Sequence, residues 1–89
     1  MFTIDISGKT VLVTGAASGI GLGIATQMAK AGANVCGCDI NNDRSAFDEA
    51  ANSFNVEKLY INCDVTNDNQ LEHCVQQTIQ KFGSIDILV

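Results

Sequence analysis

The chain contains no proline and no tryptophan, and only one histidine, one tyrosine and five basic residues among 89. Without proline, its strands and helices must be bounded by glycine, asparagine, aspartate and serine rather than by a ring-locked backbone. Five Lys and Arg against ten Asp and Glu leave a net charge of −5 and a pI near 4.4. That balance is the wrong sign for a nucleic-acid backbone or an anionic membrane surface as partner. No apolar run approaches the roughly 20 residues needed to span a bilayer. The opening Met1-Phe2-Thr3-Ile4-Asp5 lacks the basic-then-apolar layout of a signal peptide. The reading is a cytoplasmic protein with neither nucleic acid nor membrane as partner. His73, beside Cys74 on an expected helix, reads as a solvated side chain rather than a ligand or base.

What is present is the material of a packed globule: 46% hydrophobic residues in periodic spacing and eight glycines. Residues 1–89 make one small domain, able to bury only about two-thirds of its unfolded surface. Among the four cysteines, Cys36-Gly37-Cys38 is the most suggestive pair. C-x-C is not the usual C-x₂-C zinc spacing, however, and free cysteine is among the most buried residue types. Reduced core or near-surface thiols and no metal site are expected.

Strand and helix signals alternate, the mark of βαβ units and a parallel sheet. Residues 9–14 read as a first strand. From about Gly19 to Ala31, Ile20, Ile24, Ala25 and Met28 fall on one helical face, and Gly32 suits the left-handed cap. A second strand, Asn34 to Cys38, ends at Asp39. Phe47, Ala50, Ala51 and Phe54 recur at i, i+3, i+4 and i+7, predicting a helix over about 43–54. Residues 58–63 read as the third strand, and Asn67 with Gln70 resembles a capping box for a third helix. That helix carries Leu71, Cys74, Val75, Thr78, Ile79 and Phe82 at the helical period until Gly83. Ile85 to Val89 then begins a fourth strand. Right-handed crossovers place the first two helices on one face and the third on the other. The expected fold is an α/β, Rossmann-type open parallel sheet of strand order 3-2-1-4, with the chain stopping in its fourth strand.

Between the first strand and first helix lies Thr14-Gly15-Ala16-Ala17-Ser18-Gly19-Ile20-Gly21, in the spacing G-x-x-x-G-x-G. A strand that turns into a helix through small residues presents unpaired N–H groups, and glycine lets a pyrophosphate approach them closely. Asp39 is aimed at the same rim, where a carboxylate can grip ribose hydroxyls and repel a 2′-phosphate.

With Cys63-Asp64-Val65-Thr66 and Gly83-Ser84-Ile85-Asp86-Ile87-Leu88-Val89, the loop resembles the N-terminal half of the short-chain dehydrogenase/reductase family, from about Ser7 to Val89. The resemblance implies that Gly15, Ser18, Gly19, Ile20 and Gly21 cradle the cofactor pyrophosphate. It implies that Asp39 holds the adenosine ribose of NAD. It also implies that Asp64 meets the adenine amino group, with Val65 adding a backbone contact. Family members that use NADP tend to carry a basic residue at the position of Ser18 or just after that of Asp39. Here those positions hold Ser18 and Ile40, so NAD is expected over NADP.

The chain also departs from the family's pattern. The N-N-A-G stretch, the catalytic serine and the Y-x-x-x-K pair do not occur. Tyr60 is followed four residues on by Asp64 rather than lysine and lies in an expected core strand, so no catalytic residue is assigned. The expectation is an NAD-binding fragment of an oxidoreductase whose family moves hydride between nicotinamide and an alcohol or carbonyl, itself inactive. The alternative is a non-enzymatic module that recruits another chain through its exposed sheet edge, by self-association or by pairing with a C-terminal half.

Overall fold

The computed structural model describes residues 5–89; the signal-peptide reading of Met1 to Ile4 lies outside them. The elements run β1 (Thr10–Thr14), α1 (Gly19–Lys30), β2 (Asn34–Asp39), α2 (Ser45–Asn52), β3 (Lys58–Asn62), α3 (Asp68–Phe82) and β4 (Ile87–Leu88). All pairings are parallel and the sheet order is β3-β2-β1-β4, as the crossover argument requires. Val11, Val13 and Val35 join Ala25 and Ala29 of α1 and Phe47 and Ala51 of α2 in one core. Leu12, Cys36, Cys38 and Cys63 meet Cys74 of α3 in another. The period-2 alternation of β1 and β2 thus feeds two cores, which is why these central strands are apolar on both faces.

Several boundaries and faces differ from expectation. The second helix occupies Ser45–Asn52 rather than 43–54. Asp43 precedes it, its Oδ1 accepting from the N–H and hydroxyl of Ser45 at 3.1 and 2.6 Å, and Asn55 turns left-handed at φ 56° just beyond it. Phe54 therefore lies outside the helix and is part-exposed, while Phe47 and Ala51 carry the buried stripe. Ile20 is 84% exposed, not on the packed face of α1. The rest of the expected face holds: Ala25 is buried with Ala29, and Ile24 and Met28 pack against the same core. Ile79 of α3 is likewise exposed, and Cys74 and Thr78 are the residues that face reaches inward with.

The cap of α3 is half of the expected box. Asn67 Oδ1 accepts from the N–H groups of Asn69 and Gln70, both at 3.1 Å. Gln70 Oε1, however, accepts from Asp64 N–H at 2.8 Å instead of returning to Asn67. The cap thereby fixes the turn after β3 as well as the helix. Gly32 and Gly83 close α1 and α3 at φ 98° and 87°, the left-handed geometry expected of both. The fourth strand is shorter than predicted, Ile87–Leu88, and is anchored by Asp86, which accepts from Thr10 N–H and donates to Thr10 O, both at 2.9 Å.

Candidate cofactor site

The loop after β1 begins with Gly15 at φ 65° and reaches the helix through Gly19 at φ 58°. A Cβ added at either would meet nothing within 4 Å, so the space in front of the loop is open. Gly21 is different: a Cβ there would stand 2.1 Å from Gly15 O. The third glycine is required by backbone against backbone. Ser18 is the N-cap of α1, extended and exposed, with no side-chain capping bond. The first hydrogen bond into the helix runs from Leu22 N–H to Ser18 O at 3.2 Å, so the N–H groups of Gly19, Ile20 and Gly21 open the helix without an acceptor inside it. An uncapped N-terminus beside vacant space fits an anionic group.

Asp39 closes β2 and reaches across to this loop. Its Oδ2 accepts from Ala17 N–H at 3.0 Å and its Oδ1 from Asn41 N–H at 3.1 Å. Ala16 N–H donates to Cys38 O at 3.3 Å, a second tie between loop and strand end. One strand over, just past β3, Asp64 Oδ1 accepts from the Thr66 hydroxyl at 2.6 Å and from its N–H at 2.9 Å. The hydroxyl bond foremost, and then the N–H bond, hold this carboxyl below the usual carboxylate range.

Gly15, Asp39, Asp64 and Val65 line one cleft of about 260 Å³ together with Cys38, Ile40, Cys63 and Thr66. Four of the residues singled out from sequence therefore meet in one space. Ser18, Gly19, Ile20 and Gly21 do not line it and stand instead at the start of α1. Ile40, Thr66 and the two thiols went unremarked as lining residues. Their signal was available, since each sits next to a strand-end carboxylate or within two residues of one.

The loop that follows Asp39 is held from β3. The buried Tyr60 hydroxyl donates to Asn41 O, and Asn62 Nδ2 donates to Ile40 O at 2.9 Å and to Asn42 Oδ1 at 2.8 Å. Burial first, and the nearby Asp39 charge second, push the Tyr60 phenol up. Its hydrogen bond braces the loop at the cleft wall. Sequence reasoning also missed Gly37, where a Cβ would lie 2.6 Å from the Phe47 ring and 2.8 Å from Ala16 Cβ. A glycine inside a strand is the sign of such close approach.

A parallel sheet with its glycine turn, acidic strand end and a cleft over the C-terminal ends of β1, β2 and β3 defines a dinucleotide-fold protein of the Rossmann class. The profile of the family described as short chain dehydrogenase matches residues 9–89, and the chain belongs to that family. It is 37% identical over 82 residues to a 2,5-dichloro-2,5-cyclohexadiene-1,4-diol dehydrogenase of Sphingobium indicum, covering 92% of this chain and 32% of that protein. It is 39% identical over 92 aligned positions to the human 15-hydroxyprostaglandin dehydrogenase [NAD(+)], covering 97% and 34%. Among solved structures, L-sorbose reductase from Gluconobacter frateurii, complexed with NADPH and L-sorbose, superimposes with a TM-score of 0.91 at 35% identity, over 98% of this chain and 34% of that one. The chain thus spans about a third of the length of these relatives. Among the described residues, no helix is long and apolar enough to cross a membrane.

Proposed function

We propose that this chain binds the adenosine and pyrophosphate portion of a nicotinamide dinucleotide, NAD in preference to NADP, as part of an oxidoreductase. The observation that carries the reading is the convergence of Gly15, Asp39, Asp64 and Val65 on one cleft, beside an uncapped helix N-terminus. The N–H groups of Gly19, Ile20 and Gly21 serve the pyrophosphate, with the Ser18 hydroxyl free to join them. Asp39 keeps lone pairs for ribose hydroxyls while its other contacts hold it against Ala17. Asp64 and Val65 form the adenine end.

Relatives whose names or titles carry NAD and NADPH both occur, so the preference rests on this chain's own residues. Asp39 is a fixed negative charge, and neither Ser18 nor Ile40 offers a cation to a 2′-phosphate. When bound, the nicotinamide would supply hydride chemistry. The 89 residues hold no tyrosine-lysine pair to move a proton at a substrate carbonyl, so this chain contributes cofactor binding and no turnover. Its four buried thiols suit a reducing, cytoplasmic setting. Amide shift mapping by NMR tests the reading: NAD should move Gly15, Ala17 to Leu22, Asp39 and Asp64 to Thr66. Shifts confined to other surfaces would contradict it.

A second reading has its own observation. Strand β4 pairs with β1 alone and leaves Leu88 68% exposed, an edge open to strand addition by another copy. Light scattering on the purified chain decides it: concentration-dependent association supports the reading, and a monomer across concentration refutes it.

A further inference from the structure

Cys36 and Cys38 lie two residues apart on β2 and face the same side of the sheet. Cys63, just past β3, donates its N–H to Asp39 O at 2.9 Å and falls on that same side. Cys74 comes down onto them from α3. All four are unpaired and no more than 1% exposed. The sulfur atoms of Cys38, Cys63 and Cys74 lie within 4.8 Å of one another. Three thiols far apart in sequence are thus gathered from three elements. The local C-x-C spacing, which argued against a metal, did not reveal this grouping.

Sulfurs sharing a zinc ion at about 2.3 Å each stand roughly 4 Å apart in trigonal or tetrahedral geometry. A triangle within 4.8 Å closes on such an ion with side-chain movements of under about 1 Å. Cys38 and Cys63 also border the cleft above, the side from which an ion would approach. The fourth cysteine, Cys36, stands outside the triangle, its Sγ 3.1 Å from the Thr78 hydroxyl oxygen. The thiols also act on one another. Those of Cys36, Cys38 and Cys63 donate toward Cys74 and pull it down, while that donation, together with burial, pushes Cys36 and Cys38 up.

We propose that Cys38, Cys63 and Cys74 form a binding site for a thiophilic divalent cation of the zinc class, entered from the cleft. Each ligating thiol gives up its proton to solvent as its sulfur bonds the ion, so binding weakens as pH falls. The ion would join β2, β3 and α3 at the end of the sheet where the cleft opens.

The test uses the reduced full chain, with Zn²⁺ competed against a chromophoric chelator and Cd²⁺ followed by its near-ultraviolet thiolate charge-transfer band. The expected result is one ion per chain and about three protons released. Cys38→Ser, Cys63→Ser and Cys74→Ser should each weaken binding by more than the roughly 10-fold that losing an outer-shell partner costs. Cys36→Ser and His73→Gln should stay close to the parent. Zn²⁺ should also raise the melting temperature of the unaltered chain with concentration, a readout that does not depend on any variant folding. Absence of the charge-transfer band and of a zinc-dependent melting shift would overturn the site. So would binding that survives in folded Cys74→Ser but is lost in His73→Gln, which would place the ion on the exposed histidine.

Discussion

The carboxylate of Asp39 accepts a hydrogen bond from the backbone N–H of Ala17 at 3.0 Å, so the residue proposed to hold the ribose also sets the shape of the glycine loop. The two roles separate by substitution. Asp39→Asn keeps one acceptor oxygen for Ala17, while Asp39→Ala keeps none. The alanine variant should lose on the order of 1 kcal/mol in urea unfolding, a partly exposed hydrogen bond to a charged group being worth less than the roughly 1.5–3 kcal/mol of a buried one. It should also lose hydrogen-exchange protection at Ala17. The asparagine variant should keep that protection. Equal loss in both would mean that charge, not the hydrogen bond, organises the loop.

Gly19 and Gly21 should fail in different ways. Gly19→Val strains a residue at φ 58°, costing about 1–2 kcal/mol, and puts its side chain into open space in front of the loop. It should fold with a lower melting temperature and lose dinucleotide binding. Gly21→Ala would drive its Cβ into Gly15 O and should destabilise the chain itself. Circular dichroism melts paired with cofactor titration check both. A Gly19→Val chain that binds as the parent does would make the loop purely structural.

Gly37 is under pressure from Phe47 and Ala16. Gly37→Ala should therefore cost about 1–3 kcal/mol through overpacking, and Phe47→Leu in the same chain should recover part of that loss. The double-mutant cycle reads the coupling directly. Additive losses would show that the Phe47 ring yields freely and that the contact is not limiting.

The fold class and all four strands, the fourth shorter than expected, were legible because apolar period, glycine caps and crossover handedness all agreed. The faces of helices were less so. Ile20 satisfies the helical period as well as Ala25 does, but only tertiary contact reveals that the first turn of α1 rests on Gly21 against Gly15 and leaves Ile20 over the rim. Phe54 has the right spacing for α2, yet Asp43 and Asn55 bound that helix more tightly than the apolar stripe suggests. Within the site, Gly15, Asp39, Asp64 and Val65 announced themselves as strand-end residues. The Tyr60 and Asn62 braces and the gathering of Cys38, Cys63 and Cys74 depend on sheet register, which no local pattern encodes.

Acid should weaken the fold through carboxylates in its turns and in α2. Asp43 is held below the usual value by the Ser45 hydroxyl first, Asp64 by the Thr66 hydroxyl first, and Asp48 by the Arg44 guanidinium first and Lys58 beyond it. Because each folded value lies below the unfolded one of 3.8, the contribution is complete above that pH and is lost as pH falls through the lower folded values. Chemical denaturation across pH 2 to 6, each limit approximate, should show this decline. In Thr66→Ala the Asp64 titration followed by NMR should move up toward 3.8. An unchanged Asp64 midpoint would remove the Thr66 hydroxyl as its cause.

Cofactor preference is tested most directly by isothermal titration of the folded chain with NAD and with NADP, under matched buffer and salt. With Asp39 lining the cleft and Ser18 and Ile40 supplying no cation, the expected result is one NAD bound per chain and distinctly weaker NADP binding. The difference should narrow in Asp39→Asn, where loss of a charged hydrogen-bond partner costs NAD roughly 1.5–3 kcal/mol. NADP binding equal to or tighter than NAD, or no heat from either ligand in a chain shown to be folded, would contradict the account.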